Sequence, residues 1–375
     1  MKRSIVIMVL PLLALLTAGM AGCSPKTVKI GFVGSLMGRL SDTSIAGRNG
    51  VLLAVDEINR NGGVYGRSIE LLIKDDKLDM NDAVAVDREL IEAEVLAIIG
   101  HMTSEMSVAV IPLINQKKML MISPAASTSK LAGLDDYFFC VQPSNADIAA
   151  RQGLNIYQKL KIHKLTAVFD LSNQAFSEDW YQSFKSKYES LGGRIVLTKT
   201  FKADSNMSFL NLAQEITTPK TEGILLISSA IDTAMLAQQI RKMGSHAVLL
   251  STGWAFSGDL LQYGGPTVEG LFISHVIDPD NTTLKYRQFQ KAYKDKFGTS
   301  PNAAAVLGYE AMQVLFTGMT KSRRLSPENL KMVILKEKMF HGLQADFMID
   351  NFGDANRTEQ IFIIQKGKFK RVDKE

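Results

Sequence analysis

The chain has 375 residues, of which 46 % are hydrophobic and 22 % charged, with a formal net charge of +5. That length and mixture suit two ordinary globular domains and exclude a mainly disordered protein. Without Lys2 and Arg3, which fall in a segment expected to be removed, 41 basic residues face 38 acidic ones, and no basic run interleaved with aromatics marks a nucleic-acid binder.

The N-terminus reads MKRSIVIMVLPLLALLTAGMAGC. Two basic residues, an uncharged apolar core around 5–16 and a small-residue end make the order of a secretory signal, expected to occupy 1–22. No charge occurs from Ser4 to Pro25, so the segment is long enough to span a bilayer, but Pro11 and the small residues favour cleavage. Met20-Ala21-Gly22-Cys23 resembles a bacterial lipobox, which makes Cys23 the expected lipid attachment site and anchors the chain to a membrane without a spanning helix. Cys140 is then the one remaining cysteine, so an internal disulfide is excluded. Its aromatic and apolar neighbours in DDYFFCVQPS predict a buried, inert thiol.

Past a short polar linker, VKIGFVGSLMG reads as a strand entering a glycine-rich turn. The segment SIAGRNGVLLAVDEINRNGG keeps helical spacing at Val51, Leu52, Ala54, Val55 and Ile58 and stops at Asn61-Gly62-Gly63. RSIELLIKDD is a strand, MNDAVAVDRELIEAE a helix, VLAIIG a strand, EMSVAVIPLINQKK a helix and MLMIS a strand. The alternation restarts with helix DIAARQGLNIYQKL, strand KLTAVFD, helix SEDWYQSFKSKYESLGG, strand RIVLTKTF, helix SFLNLAQEITTPK, strand GILLIS, helix DTAMLAQQIRKMG and strand AVLLST. Two more helices, TLKYRQFQKAYKDKFG and NAAAVLGYEAMQVLFTGMTKS, precede a tail that reads as a hairpin turning at Asp350–Asn356 and completing a sheet edge. Such alternation predicts two α/β lobes built on parallel sheets.

Catalytic patterns are missing. No G-x-S-x-G elbow accompanies the histidines, and no His/Cys/Asp/Glu grouping has metal-ligand spacing. Gly31, Gly34 and Gly38 depart from G-x-G-x-x-G, and no acidic residue ends a strand about 20 residues later. Neither a cofactor nor a metal is therefore expected.

Two consecutive strand ends carry a different chemistry. GHMTSE offers Thr103 and Ser104 where a helix starts; MISPAASTSK offers Ser123, Ser127, Thr128 and Ser129 around the small Ala125 and Ala126, which let a ligand approach the backbone. Each segment alone reads equally well as a helix cap, whereas the pair on adjacent strand ends favours a site for a small anion.

The run VGSLMG…INRNGG…VLAIIGHMTSEMSVAVIPLINQKKMLMISPAAS, with FDLSNQAFSEDW, AQQIRKMG, VEGLF and GYEAMQVL following in order, resembles the leucine/isoleucine/valine-binding protein family, periplasmic solute receptors of ABC importers. The resemblance implies a type I periplasmic-binding fold: two doubly wound lobes, 27–144 with 278–340 and 145–277 with 341–375. Their three crossovers would lie near Pro143–Ser144, Ile277–Asp278 and Phe340–His341. It implies a carboxylate on Ser104, a backbone carbonyl at Ala125, and on Ser127 a hydroxyl that helps hold carboxylate and amine. In the second lobe Phe176 replaces a frequent tyrosine, and Gly253 and Trp254 stand where branched-chain receptors carry a glutamate for the ligand's ammonium.

An unpaired buried ammonium is costly. Asp232, at a helix start three residues after Ser229, is the expected substitute, with Glu105 second, although an Asp there also reads as a cap. The implied function is delivery of a small carboxylate, an amino acid first, to an ABC permease. A sensory receptor of the same fold acting on a membrane kinase or chemoreceptor is the alternative.

Overall fold

The apolar runs that alternate with amphipathic segments become buried parallel strands wrapped by helices. The computed structural model describes residues 27–38, 40–202 and 207–372; the expected secretory segment 1–22 and the expected lipid attachment site Cys23 lie outside them. In chain order the first half holds β1 (Val28–Gly34), α1 (Ser41–Arg60), β2 (Ile69–Asp75), α2 (Met80–Glu92), β3 (Ile98–Ile99), α3 (Ser104–Lys117), β4 (Met121–Ser123) and β5 (Phe138–Cys140). These strands form a five-stranded parallel sheet in the order β2-β1-β3-β4-β5.

Next come α4 (Asn145–Gln158), β6 (Lys164–Asp170), α5 (Gln174–Ser190), β7 (Arg194–Phe201), α6 (Phe209–Thr217), β8 (Gly223–Ile227), α7 (Ala230–Lys242), β9 (Val248–Ser251), α8 (Gly258–Gly264) and β10 (Phe272–His275). The remainder is α9 (Leu284–Phe297), α10 (Ala303–Lys321), α11 (Pro327–Glu337), β11 (Met339–His341), β12 (Asp346–Ile349), β13 (Ala355–Asn356), β14 (Gln360–Gln365) and β15 (Lys368–Arg371). The second sheet has seven strands in the order β15-β14-β10-β9-β8-β6-β7, and β14 and β15 are its antiparallel members.

Local chemistry sets the element ends. Asp79 caps α2 by accepting from the amides of Asn81 and Asp82 at 2.8 and 3.1 Å. The predicted stop of α1 is met by Gly62 and Gly63, both at positive φ, with the Gly63 amide returning to the Ile58 carbonyl at 2.9 Å. Against α1 lies α10, so close that a Cβ on Gly308 would fall 2.2 Å from the Gly47 carbonyl oxygen.

The tail differs from its expected form. The turn at 350–354 does join two antiparallel strands, but they are β12 and β13 of a small third sheet with β11. The edge of the second sheet is completed by another hairpin, β14–β15, whose two-residue turn has Lys366 and Gly367 both at positive φ. The third passage, expected near Phe340–His341, accordingly meets the second sheet only at Gln360. Backbone pairing explains the delay: Cys140 bridges Asp354 and donates its amide to the Gly353 carbonyl at 3.0 Å, which holds this segment to β5 of the first sheet. Cys140 is buried and free, and burial pushes its thiol up to about 12, as expected of an inert core thiol.

Candidate functional site

Residues just past the carboxyl ends of the parallel strands in both sheets line one partly open cavity, about 960 Å³ with the solvent space at its mouth counted. From the first sheet's side come Ser44, Met102, Thr103, Ala125, Ser127 and Gln142; α10 adds Asn302, Ala303, Ala304 and Leu307. From the second come Phe176, Trp180, Trp254, Ser257, His275 and Glu359. Open α/β sheets bind ligands at such strand ends, where turning chain and helix starts leave polar groups unspent. Five cavity-lining atoms are buried without a hydrogen-bond partner among the described residues: Ser44 Oγ, Thr103 Oγ1, Gln142 Oε1, Ser257 Oγ and Glu359 Oε1. Buried polar atoms left this way cost free energy, which a bound polar molecule offsets.

The expected site residues separate into two groups. Ala125, Ser127, Phe176 and Trp254 line the cavity, and the last two rings meet edge to face with centroids 5.6 Å apart. Ser104, Ala126, Ser229 and Asp232 do not. Ser104 stands one bond behind the wall, its Oγ accepting from the Ser127 amide at 3.2 Å. Thr103, the N-cap residue of α3, makes no side-chain cap bond and lines the cavity in its place. Ala126 donates its amide to Ser123 Oγ at 2.9 Å. Ser229 and Asp232 are engaged with each other at the start of α7: Ser229 Oγ accepts from the Asp232 amide at 3.2 Å and donates to Asp232 Oδ2 at 2.8 Å.

Glu105, the second candidate for an ammonium, serves the joint between the two halves instead. Its carboxylate accepts from the Ala175 amide at 2.6 Å and its own amide donates to Asn173 Oδ1 at 3.0 Å. Ser129 donates to Asp179 from its amide, at 2.8 Å, and from its hydroxyl. Ser127 Oγ donates to Asn145 Oδ1 at 2.8 Å, while Asn145 Nδ2 donates to the Phe176 carbonyl and to Asp179 at 3.2 and 3.0 Å. These bonds hold α3 and the loop after β4 against α5, which draws the two walls of the cavity together.

On the second wall, beside the anticipated Phe176 and Trp254, sequence reasoning missed His275 and Glu359. Burial, reinforced by Arg357, pushes the His275 imidazole down to about 3 and keeps it neutral; Nδ1 accepts from the Ile277 amide at 3.0 Å, which assigns the proton to Nε2. Glu359 comes beside it because β14 runs antiparallel to β10 with His275 opposite Gln360. The outgoing end of one strand thus meets the incoming end of the other. A glutamate directly before the alternating QIFIIQ was the signal available for it.

Behind β3, His101 is enclosed by two carboxylates: Nδ1 lies 2.7 Å from Asp76 and Nε2 3.4 Å from Asp87, all three side chains being at most 1 % exposed. Burial opposes its charge, but Asp87 and Asp76 outweigh it and raise the imidazole to about 9. The imidazolium supports the GHMTSE loop and is absent from the cavity wall. Among the described residues no cluster of three or more His, Cys, Asp or Glu is placed to hold a metal ion, and no helix is long and apolar enough to cross a membrane.

Two α/β layers whose strand ends close over a ligand-sized cavity define a two-lobed binding protein. A model of the periplasmic binding protein family matches residues 27–368, and the chain belongs to that family. It is 23 % identical over 355 residues to the leucine-, isoleucine-, valine-, threonine-, and alanine-binding protein of Pseudomonas aeruginosa, covering 92 % of each chain. Among solved structures it is similar to the branched-chain amino acid transporter substrate-binding protein LivJ of Streptococcus pneumoniae in complex with isoleucine. There the TM-score is 0.84 at 23 % identity, with 92 % of this chain and 98 % of that one covered. A solute-binding protein of an ABC transporter from R. palustris, in complex with benzoate, superposes with a TM-score of 0.82 at 19 % identity, covering 92 % and 95 %. The fold is the type I periplasmic-binding fold with two parallel-sheet lobes, and the chain is a binding protein rather than an enzyme.

Proposed function

We propose that this chain is the solute receptor of an ABC importer, held to the outer face of a membrane by lipid on Cys23, and that it captures a small carboxylate, an amino acid first, for delivery to a permease. The carrying observation is the set of buried, unpartnered hydroxyls on the cavity wall, those of Ser44, Thr103 and Ser257. A carboxylate accepts from several such donors at once, and charge-assisted bonds in a buried site are the strong kind. Phe176 and Trp254 would cover the ligand's apolar part, while the bonds of Asn173, Asn145 and Asp179 favour the closed form once the ligand bridges both walls. Lobe borders near 144 and 277, with the third passage between 356 and 360, complete the reading.

An aromatic carboxylate is the second reading. The edge-to-face pair of Phe176 and Trp254, with Trp180 and Phe256 also on the wall, favours it.

Calorimetry with aliphatic and aromatic amino acids and simple carboxylates tests the proposal. Ser127→Ala is expected to weaken binding of the tightest carboxylate about 10-fold, because it removes the bond to Asn145 that holds this wall in place. Thr103→Val should do the same. Unchanged affinity in both variants would remove the hydroxyl site.

A further inference from the structure

Glu359 is the one carboxylate among the residues lining the cavity. Its side chain is 5 % exposed, and Oε1 has no hydrogen-bond partner among the described residues. The other oxygen lies 3.8 Å from Arg151 Nε on α4, whose side chain is 47 % exposed and free to be screened by water. Neighbouring groups satisfy the acid only in part. The Ser274 hydroxyl on β10 is shared with Gln152 Oε1 at 2.8 Å, and Gln152 in turn donates to the Ser251 carbonyl. His275 is neutral and turns a donor, Nε2, away from its own bonded Nδ1. Arg357 lies with its guanidinium 2.6 Å from Glu310. The first sheet contributes no titratable side chain to the wall.

Past β9, where branched-chain receptors are implied to carry their glutamate, this chain has Gly253, packed closely against His275. A Cβ on Gly253 would stand 3.0 Å from the His275 ring. The acid enters instead from the incoming end of β14.

We propose that Glu359 is the cation-binding residue of the cavity: it takes the protonated amino group of a ligand whose carboxylate rests on the hydroxyls of the opposite wall, and capture expels a proton. The proposal rests on the carboxylate reading and narrows it to amino acids. Burial, against the opposing pull of Ser274 and Arg151, pushes the Glu359 carboxyl up to about 7. Near neutral pH a share of the free protein therefore holds this proton. An ammonium requires the carboxylate, so the carboxyl proton leaves to solvent while the amino group keeps its own.

The experiment compares L-leucine with 4-methylpentanoate and L-phenylalanine with 3-phenylpropanoate by calorimetry at pH 6, 7 and 8, in two buffers of different ionisation enthalpy. The amino acid of the better pair is expected to bind at least tenfold tighter than its des-amino counterpart. Its affinity should rise about tenfold from pH 6 to pH 8, with proton release. Glu359→Gln should abolish both the preference and the pH dependence while preserving des-amino binding. Arg151→Gln should keep the preference and move the pH midpoint upward, which tests the idea even if Glu359→Gln does not fold. Equal binding of both members of a pair, or a preference surviving in Glu359→Gln, overturns the role of Glu359 and leaves carboxylate capture standing. Binding of no member of either pair overturns both.

Discussion

His101→Leu is expected to destabilise the protein by about 3–5 kcal/mol, because it strips the cation from between two carboxylates that water cannot reach. The loss should depend on pH. His101 is raised from 6.5 to about 9 in the folded chain, so its stabilisation is fully present below pH 6.5 and disappears as pH rises through 9. Integrated over that window it amounts to about 3 kcal/mol. Asp76 describes the same ion pair from the other side and is not an additional sum: its carboxyl is desolvated by burial, yet the His101 bond and charge hold it below its usual value. That contribution is present above pH 3.8 and is lost as acid titrates the folded carboxylate. Urea unfolding at pH 6, 7.5 and 9 should show the wild type losing stability toward pH 9 and His101→Leu losing much less. Parallel curves would mean that the imidazole is neutral when folded.

The second large effect is steric. Gly308→Ala is expected to cost about 3 kcal/mol, at the upper end for overpacking, since the new methyl group would meet the backbone of α1 and not the yielding end of a side chain. Gly50 makes the reciprocal approach, with its Cβ position 2.0 Å from the Ala305 carbonyl oxygen. Because Asn302, Ala303, Ala304 and Leu307 carry α10 into the cavity wall, the shift should also weaken ligand binding. Gly258→Ala, in open space at the start of α8, is the matched control and should move the urea midpoint little. If both variants unfold at the wild-type midpoint, the two helices are not packed backbone to backbone.

Most of the parallel core was legible because its signals are local. Buried strands read as apolar runs, and helices such as α2 announce themselves by an Asp cap and a 3.6-residue period. The three-residue β5 and the four-residue β10 were not read as strands, since runs that short carry no period of their own. At the site, Ser127 and Trp254 lie on the cavity wall, whereas Ser104 lies behind it and its neighbour Thr103 lines the cavity. Asp232 shows the limit of residue type as a guide: an acid at a helix start looked available for a ligand and is bonded to Ser229. Glu359 shows the converse. Its role follows from an antiparallel register joining residues some 85 apart, which no local spacing displays.

The central claim is that the cavity holds a small carboxylate. Native mass spectrometry of the freshly purified protein, followed by identification of the molecule released on unfolding, addresses it most directly. The expected result is a single small carboxylic acid bearing an amino group, lost from Ser127→Ala. A co-purified ligand without a carboxylate would contradict the account.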